Sequence, residues 1–545
     1  LRLGRGAMAV LVVLIMALSG LVMTRDVFNL FVFIELISIA TGGLVLLSDD
    51  GRAVAAGFKY LIVSQIVSIL LLVGIIFTYH ATGSLNIDDI GGLPLAFAGG
   101  GLALFLVVLA LVLELKPFPA NGWALDIYTA AHPGFSALFS AASGTAALFA
   151  VDKLAAAAGP GFLPLLTGLG LVSFLGSNIV ALRQENDRRL LGYSSVGQIG
   201  LVLAVIGQRD VLGEAYLYIA GGLILSHAVA KAGLFWLSAM VQGRRLLDWA
   251  AIRSRPVLVL AFASFTAMLV GLPPFPGFYA KWDLAQALVA ANRLPVLALV
   301  LLGALIEAAW MFRWFGFAMK RETEAALTPN RIDCGLTVAA LAAGWALGAL
   351  WGDLSGQFNV LATLPVLAAV LFLGLEPLPA RVKNVLAIAA LVGWFVTHMS
   401  SYEPVHMIFA VVMLPGGAVI LLASFTEGGR RLGFYPPAMT MYAGLALLLQ
   451  AATAFEFFAA WEVMTLGSYF LILRGKQSEP HALSYILFSL GGAYALLMGF
   501  AIASGGVQPF PLAALALVPA TVAPYVFILL ALGFMTKTAA MGLHI

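Results

Sequence analysis

Residues 31–47 read FVFIELISIATGGLVLL, and residues 58–74 read FKYLIVSQIVSILLLVG. Each run is most of a membrane crossing, and each holds one ionisable side chain, Glu35 or Lys59, in otherwise uncharged sequence. About 20 apolar residues span a bilayer as a helix, which satisfies its backbone hydrogen bonds internally. A charge placed inside such a run costs at least about 2.5–3.5 kcal/mol on insertion scales. Such charges usually face protein or water and mark ion paths. Read this way, the fold is helical and membrane-embedded, and the function is tied to buried charge.

The rest of the chain has the same character. Of its 545 residues, 62% are hydrophobic and 10% charged, whereas a soluble domain carries about 25% charged residues. This excludes a soluble globular enzyme, and it excludes disorder, which needs few apolar residues and high charge. The net charge of +3 suggests no nucleic-acid role. Cys334 is the single cysteine, so a disulfide framework and a cysteine-based metal cluster are excluded. No G-x-G-x-x-G follows a strand and no P-loop occurs, so no nucleotide site is expected. With no haem motif either, no metal, cofactor or redox centre is expected on this chain. The sequence starts at Leu1 with no visible signal peptide and stops at Ile545 inside an apolar segment. It is expected to be a fragment of a longer membrane protein.

Working outward, apolar segments fall at 8–24, 27–47, 53–78, 98–119, 133–151, 163–182, 190–207, 213–240, 257–293, 295–317 and 334–352. Seven more follow at 357–376, 383–399, 404–424, 435–454, 456–473, 482–503 and 522–545. The segment 257–293 contains Pro273, Pro274, Pro276 and Gly277 and counts as one crossing broken in the middle. The expectation is an all-α polytopic membrane protein with about 18 transmembrane helices. If Arg2 and Arg5 are cytoplasmic, alternation puts Arg52, Arg183, Arg188, Arg189, Arg244, Arg245, Arg253 and Arg255 on the same side. The later loops add Arg313, Lys320, Arg321, Arg331, Arg381, Lys383, Arg430, Arg431, Arg474 and Lys476. Only Arg25, Lys153, Arg209 and Arg293 fall outside. The positive-inside rule holds at every loop. It predicts a multi-pass protein of a prokaryotic plasma membrane with its Lys/Arg-rich loops in the cytoplasm.

The remaining lysines, Lys59, Lys116, Lys231, Lys281 and Lys537, lie within crossings, as do Glu35, Glu114, Glu307 and Glu462. Their mixed signs suggest pairing. Snorkelling is the alternative for Lys59, about six residues from a helix start; Glu35, Lys231, Lys281 and Glu462 lie deeper. His227 stands four residues before Lys231, so both face one side of a helix. A desolvated lysine loses its preference for the charged form, and an opposing glutamate restores it. Rearranging such a pair changes proton affinity, which is the coupling a pump needs. A helix broken at Pro273–Gly277 exposes backbone groups that can hold an ion or water beside Lys281. The alternatives are a simple kink for the prolines and a packed histidine for His227.

The opening runs recur. Residues 456–473 read EFFAAWEVMTLGSYFLIL and residues 483–499 read LSYILFSLGGAYALLMG. Tyr60/Tyr485, Ser64/Ser489 and Gly74/Gly499 share an offset of 425 residues, and Glu35/Glu462 differ by 427. This reads as two tandem copies of one transport module.

These residues resemble the antiporter-like membrane subunits of respiratory complex I. Related families are the Mrp-type cation/proton antiporters and the energy-converting membrane-bound hydrogenases. FIELIS and AWEVMT resemble the glutamate-bearing fifth helix, and ALRQENDRRLLGYSSVGQIG (181–200) resembles the Q-x-D-x-K-R-x-x-A-Y-S-S loop and helix. SHAVAKAGLF (226–235) resembles the N-H-x-x-x-K-x-x-L-F helix. GLPPFPGFYAKW (271–282) and GFMTKTAAMGLHI (533–545) resemble the broken twelfth and seventh helices with their lysines. The resemblance implies two antiporter-like modules with broken helices. Residues 1–353 form the first, N-terminally incomplete (helices four to fourteen of the family). Residues 354–545 form the second, C-terminally incomplete (helices one to seven). It also implies a half-channel on each side joined by a central row of Lys, Glu and His with waters. In the first copy Glu35 and Lys59 match the fifth-helix acid and sixth-helix lysine, and His227, Lys231 and Lys281 match the central and exit relay. In the second copy Glu462 and Lys537 match the input pair.

The first copy departs from the family pattern. The seventh-helix lysine should stand nine residues before a Trp; counting back from Trp123 gives Glu114, with Lys116 two places later. Either Glu114 replaces the lysine and pairs with Lys116, or the helix break is shifted. Ser136–Ala150 holds no titratable side chain, and Gly144 stands where some members carry Lys. The proton wire there runs on waters and hydroxyls such as Ser140, Ser143 and Thr145, or it is broken. Gln198 sits where many members have His, and Ser484 aligns with Lys59. Glu307, one helix after Lys281, could pair with it.

The first reading is a proton-translocating membrane subunit of a complex-I-like redox-driven pump, with H+ or else Na+ as the ion. It carries no redox centre and works beside other antiporter-like subunits, small membrane subunits and a peripheral redox arm. The second is an Mrp-type secondary cation/proton antiporter subunit driven by an ion gradient. The third is a structural scaffold whose first copy no longer conducts.

Overall fold

The computed structural model describes residues 5–47, 51–91, 100–158, 160–320, 325–356, 368, 371–424 and 433–538. Among these the regular structure is helical, and strand pairing is confined to isolated bridges between loops. Among the described residues thirteen helices are long and apolar enough to cross a membrane, and three shorter apolar helices accompany them. The chain is a multi-pass membrane protein. The crossing expected at 357–376 lies mostly outside the described residues, as does the end of the one at 522–545.

The elements follow the apolar runs. Helices α1 (Arg5–Met23), α2 (Val27–Leu46) and α3 (Gly51–Thr82) are followed by a short α4 (Ile87–Gly91). The run at 98–119 becomes α5 (Gly100–Glu114), and after a break the chain continues as α6 (Gly122–Ala130). The next crossing is α7 (Pro133–Leu138), a π-helical turn at Phe139–Ser143, and α8 (Gly144–Ala158). Then come α9 (Leu163–Ala181), α10 (Asp187–Ile206), a single turn α11 (Arg209–Leu212) and α12 (Ala215–Met240). The proline-rich run is divided into α13 (Pro256–Val270) and α14 (Pro276–Ala290), as expected from Pro273, Pro274 and Pro276. Helices α15 (Leu294–Ala318) and α16 (Arg331–Leu354) follow. The remainder holds α17 (Ala380–His398), α18 (Pro404–Ser424), α19 (Tyr435–Leu448), α20 (Ala454–Ile472), α21 (Glu479–Ser504) and α22 (Ala523–Lys537).

By backbone contacts the chain forms two compact units. The first is Leu1–Val270 with Ala298–Trp310 and Lys320–Gly344; the second is Gly271–Leu297 with Met311–Met319 and Trp345–Ile545. In the first, α10 is almost entirely buried from Leu190 to Ile206 and packs on α9 and α12. In the second, α20 packs on α19 and α21, and α21 on α22. A satellite core of Phe372, Leu391, Leu414, Leu421, Tyr435 and Tyr442 joins α17, α18 and α19.

Helix starts and loop contacts sort as the topology requires. Asp26 caps α2 by accepting from the Asn29 N–H at 2.8 Å, and its backbone bridges Asn86, beyond α3. Thr453 caps α20 by accepting from the Glu456 N–H at 3.2 Å, and its backbone bridges Pro511, beyond α21. The first residues of these bridges differ by 427 positions and the second by 425, the same two offsets as the sequence repeat. Asn186 caps α10 and bridges Arg245, beyond α12. In each case alternation puts both loops on one side of the membrane. Arg25–Asp88 and Arg209–Asp152 also join loops of one side.

The buried face of α3 is a single stripe: Ala53, Ala56, Tyr60, Ser64, Val67, Leu71, Gly74, Ile75 and Thr78. Its glycine is required by close packing. A Cβ on Gly74 would stand 2.9 Å from the Val107 backbone nitrogen on α5, and one on Gly499, at the matching place in α21, 3.0 Å from Leu530 on α22. Gly74→Leu is therefore expected to destabilise the protein by about 1–3 kcal/mol through overpacking. Gly168→Leu is the control, because nothing lies within 4 Å of that Cβ. Thermal unfolding in detergent checks this: the first variant melts lower and the second like the parent.

Candidate functional site

Among the described residues, the expected path residues of the first unit fall into three groups. On α2, Glu35 is half-buried and accepts from the Gln65 amide of α3 at 2.8 Å. Lys59, on the same helix as Gln65, is exposed and pairs with Asp126 of α6 at 3.0 Å; the other Asp126 oxygen lies 3.6 Å from Arg189 of α10. Six helical residues separate Lys59 from Gln65, about 120° around the axis. The two therefore serve different partners.

The second group is the buried pair Glu114–Lys116, with 3.5 Å between carboxylate and ammonium and both residues about 5% exposed or less. The acid pairs with the lysine, and the helix ends between them. Lys116 sits in the break at φ +59. Its ammonium lies over the rings of Phe139 at 4.6 Å and Trp123 at 5.7 Å. Around the neighbouring Tyr60 stand Ser38, Thr41 and Ser64. The Tyr60, Ser38, Thr41, Ser64, Ser68 and Ser143 hydroxyls and one Glu114 oxygen are buried and make no hydrogen bond among the described residues. Beside them a small cavity between Thr41, Ile127, Phe139 and Ser143 has room for about one water. The stretch that lacks titratable side chains thus lies in hydroxyl-rich surroundings. The π turn at Phe139–Ser143 marks it, a local widening that often accompanies functional sites.

The third group is continuous. Ser140 Oγ and Ser195 Oγ are 2.6 Å apart. Ser195 donates to the Leu191 carbonyl at 2.9 Å, and Lys231 Nζ donates to that same carbonyl at 3.2 Å. His227 Nε2 lies 3.3 Å from the Ser140 carbonyl. Its Nδ1 has no hydrogen bond among the described residues. Lys231 is fully buried, as is Glu307 on α15. Both oxygens of Glu307 accept from the Gln198 amide, at 2.7 and 2.8 Å.

The second unit holds two further sites. Lys281 on α14 is 9% exposed, and its chain folds over Gly271, which stands at φ +81 in the break; a Cβ on Gly271 would lie 2.9 Å from Lys281 Nζ. Glu462 is buried in α20, and one oxygen has no hydrogen bond among the described residues. Lys537 donates to the Tyr485 hydroxyl at 2.5 Å and lies over the Tyr485 ring at 4.4 Å and the Trp461 ring at 5.9 Å.

The profile of the family described as "NADH:quinone oxidoreductase/Mrp antiporter, TM" matches residues 24–307, which hold the first unit's groups and the broken helix with Lys281. The chain belongs to this family. The antiporter-family chain is 34% identical to NADH-quinone oxidoreductase subunit N of Cereibacter sphaeroides, over 57% of its length and 70% of the relative. It is 31% identical to the subunit N of Desulforudis audaxviator over 54% of its length, and it spans 61% of that relative. A chain of respiratory complex I from Thermus thermophilus superposes with a TM-score of 0.57 and 26% identity, covering 64% of this chain and 79% of that one.

Two partners escaped the sequence reading. Asp126 closes PFPANGWALD (117–126), which repeats PFPGFYAKWD (274–283), a second internal repeat that could have singled it out. Gln65 carried no signal beyond being a polar residue in an apolar helix.

Two outcomes are expected. Lys116→Met leaves a lone buried carboxylate and costs about 3–5 kcal/mol, most of which the double variant with Glu114→Gln recovers; denaturant unfolding reads both. Gly271→Ala displaces Lys281 and lowers proton-coupled activity roughly tenfold, about 1.4 kcal/mol in the barrier. Gly213→Ala, with φ +53 and nothing within 4 Å, controls for backbone strain alone and leaves activity unchanged.

Proposed function

We propose that this chain is a proton-translocating membrane subunit of a complex-I-like redox-driven machine. The observation that carries the reading is the buried cluster in which Ser195, 2.6 Å from Ser140, and Lys231 both donate to the Leu191 carbonyl, with His227 alongside. Hydroxyls, one imidazole and one lysine in hydrocarbon surroundings are a costly arrangement; the hydroxyls and the imidazole can both donate and accept, and the Leu191 carbonyl, which only accepts, holds Ser195 and Lys231 at one point.

The lysines carry the charge and the glutamates set their proton affinity, as opposing charges do in low dielectric. Residues 1–353 and 354–545 act as two modules. Glu35, Lys59, Glu114, Lys116, His227, Lys231, Lys281 and Glu307 form the path of the first, and Glu462 and Lys537 the input of the second. The matching caps, bridges and glycine contacts of the two segments support this division. The ion is H+. The neighbours are further antiporter-like and small membrane subunits and a peripheral arm that holds the redox centres. The setting is a prokaryotic plasma membrane with the Lys/Arg-rich loops in the cytoplasm.

The test is proton flux by the intact complex in liposomes. Lys231→Ala, Lys281→Ala and Glu462→Gln are each expected to lower the flux at least tenfold while the complex still assembles. Flux equal to the parent in all three refutes the site assignments. Flux sustained by a Na+ gradient without an electron donor replaces the redox-driven reading with that of a secondary antiporter.

A further inference from the structure

Gln198 is 3% exposed on α10, and its side-chain nitrogen meets three acceptors. Two are the Glu307 carboxylate oxygens at 2.7 and 2.8 Å; the third is the Leu269 carbonyl, near the end of α13, at 3.2 Å. That carbonyl is free for a reason written in the sequence. Its helical donor would be the N–H four residues on, and that residue is Pro273, which has none. The glutamine thus ties the opened end of a broken helix to a fully buried acid.

The chemistry fixes the direction of the tie. A backbone carbonyl only accepts, so the amide must present its NH2 group, not its oxygen, toward both partners. With both carboxyl oxygens facing that NH2, the arrangement suits the ionised acid. A protonated carboxyl would turn its own O–H against an N–H. An opposite charge that Glu307 acts upon is Lys231 on α12. Helices α9 and α13 carry no titratable side chain.

We propose that Gln198 is a positioning residue that couples protonation of Glu307 to the break in the α13–α14 segment. Glu307 takes up a proton when Gln198 releases one of its oxygens, and the Leu269 carbonyl retains the amide while it does so. The amide side chain itself does not titrate. The inference rests on the proton-translocating reading and adds to it a non-titrating latch.

The experiment uses the intact complex with Q198M, E307Q and the double variant. Methionine keeps the volume of glutamine and removes both N–H donors. The first measurement is the infrared carboxylic C=O band that E307Q abolishes, followed against pH. Losing donors to the ionised form makes the acid easier to protonate, so in Q198M the midpoint is expected to move about one unit toward alkaline pH. The second is proton flux in liposomes. Q198M is expected to keep maximal flux within about threefold, with its pH profile displaced like the band. The double variant is expected to match E307Q alone. If Q198M fails to assemble, Q198N, whose shorter amide reaches only one of the two partners, reads the same displacement.

A band and profile in the glutamine variants that superpose on the parent overturn the proposal. So does a flux displacement that persists in the E307Q background. A displaced band in a complex that moves no protons upholds the latch and overturns the transport reading.

Discussion

Charge inside hydrocarbon has to be held by protein, and here it is held where helices fail. Glu114 and Lys116 straddle the end of α5. Lys281 folds back over Gly271 between α13 and α14. Ser140 lies in the π turn of the α7–α8 crossing. A regular helix consumes its own backbone donors and acceptors and offers a buried ammonium only side chains. Each interruption returns a few carbonyls, hydroxyl approaches or aromatic faces to service. The irregular backbone and the buried charges are two aspects of one solution.

The two halves of the chain show comparable parts in different dispositions. In the first, Lys116 rests against Glu114, and the Tyr60 hydroxyl is unengaged among the described residues. In the second, Lys537 rests on the Tyr485 hydroxyl, and one Glu462 oxygen is unengaged. Tyr60 and Tyr485 occupy matching positions of the repeat. A lysine that can sit on either a carboxylate or a phenol has two resting places of unequal charge. An acid–lysine switch needs such a choice if it is to open without stranding an ammonium.

Much of this was legible in the sequence, for identifiable reasons. Apolar run length is a property of the bilayer, so crossings could be placed without knowing their neighbours, and the proline cluster at 273–276 marked a break that the backbone indeed makes. Lysines and glutamates in such runs stand out by type alone. What could not be read was partnership between helices distant in the sequence. Glu35 is met by Gln65 and Lys59 by Asp126 because of where α2, α3 and α6 lie in space, and no spacing along one helix encodes that. Gln198 illustrates the limit: the family pattern marked its position, but its reach to Leu269 and Glu307 depends on three helices meeting. The Lys116 ammonium between two rings follows from a break two residues past Glu114, a boundary finer than hydropathy resolves.

Helix α3 has 32 residues, about 48 Å of helix at 1.5 Å per residue. A bilayer's hydrocarbon is roughly 30 Å thick. An isolated helix of that length would settle the mismatch by leaning over, with an angle chosen by the lipid. α3 has no such freedom, because Gly74 seats it against α5 and its buried stripe runs from Ala53 to Thr78. Its inclination is set by protein. A membrane of different thickness must therefore deform around this helix, thinning or swelling at its flank while the helix holds its angle. Lipid composition then reaches the protein as elastic stress applied along α3, the helix that carries Lys59 and Gln65.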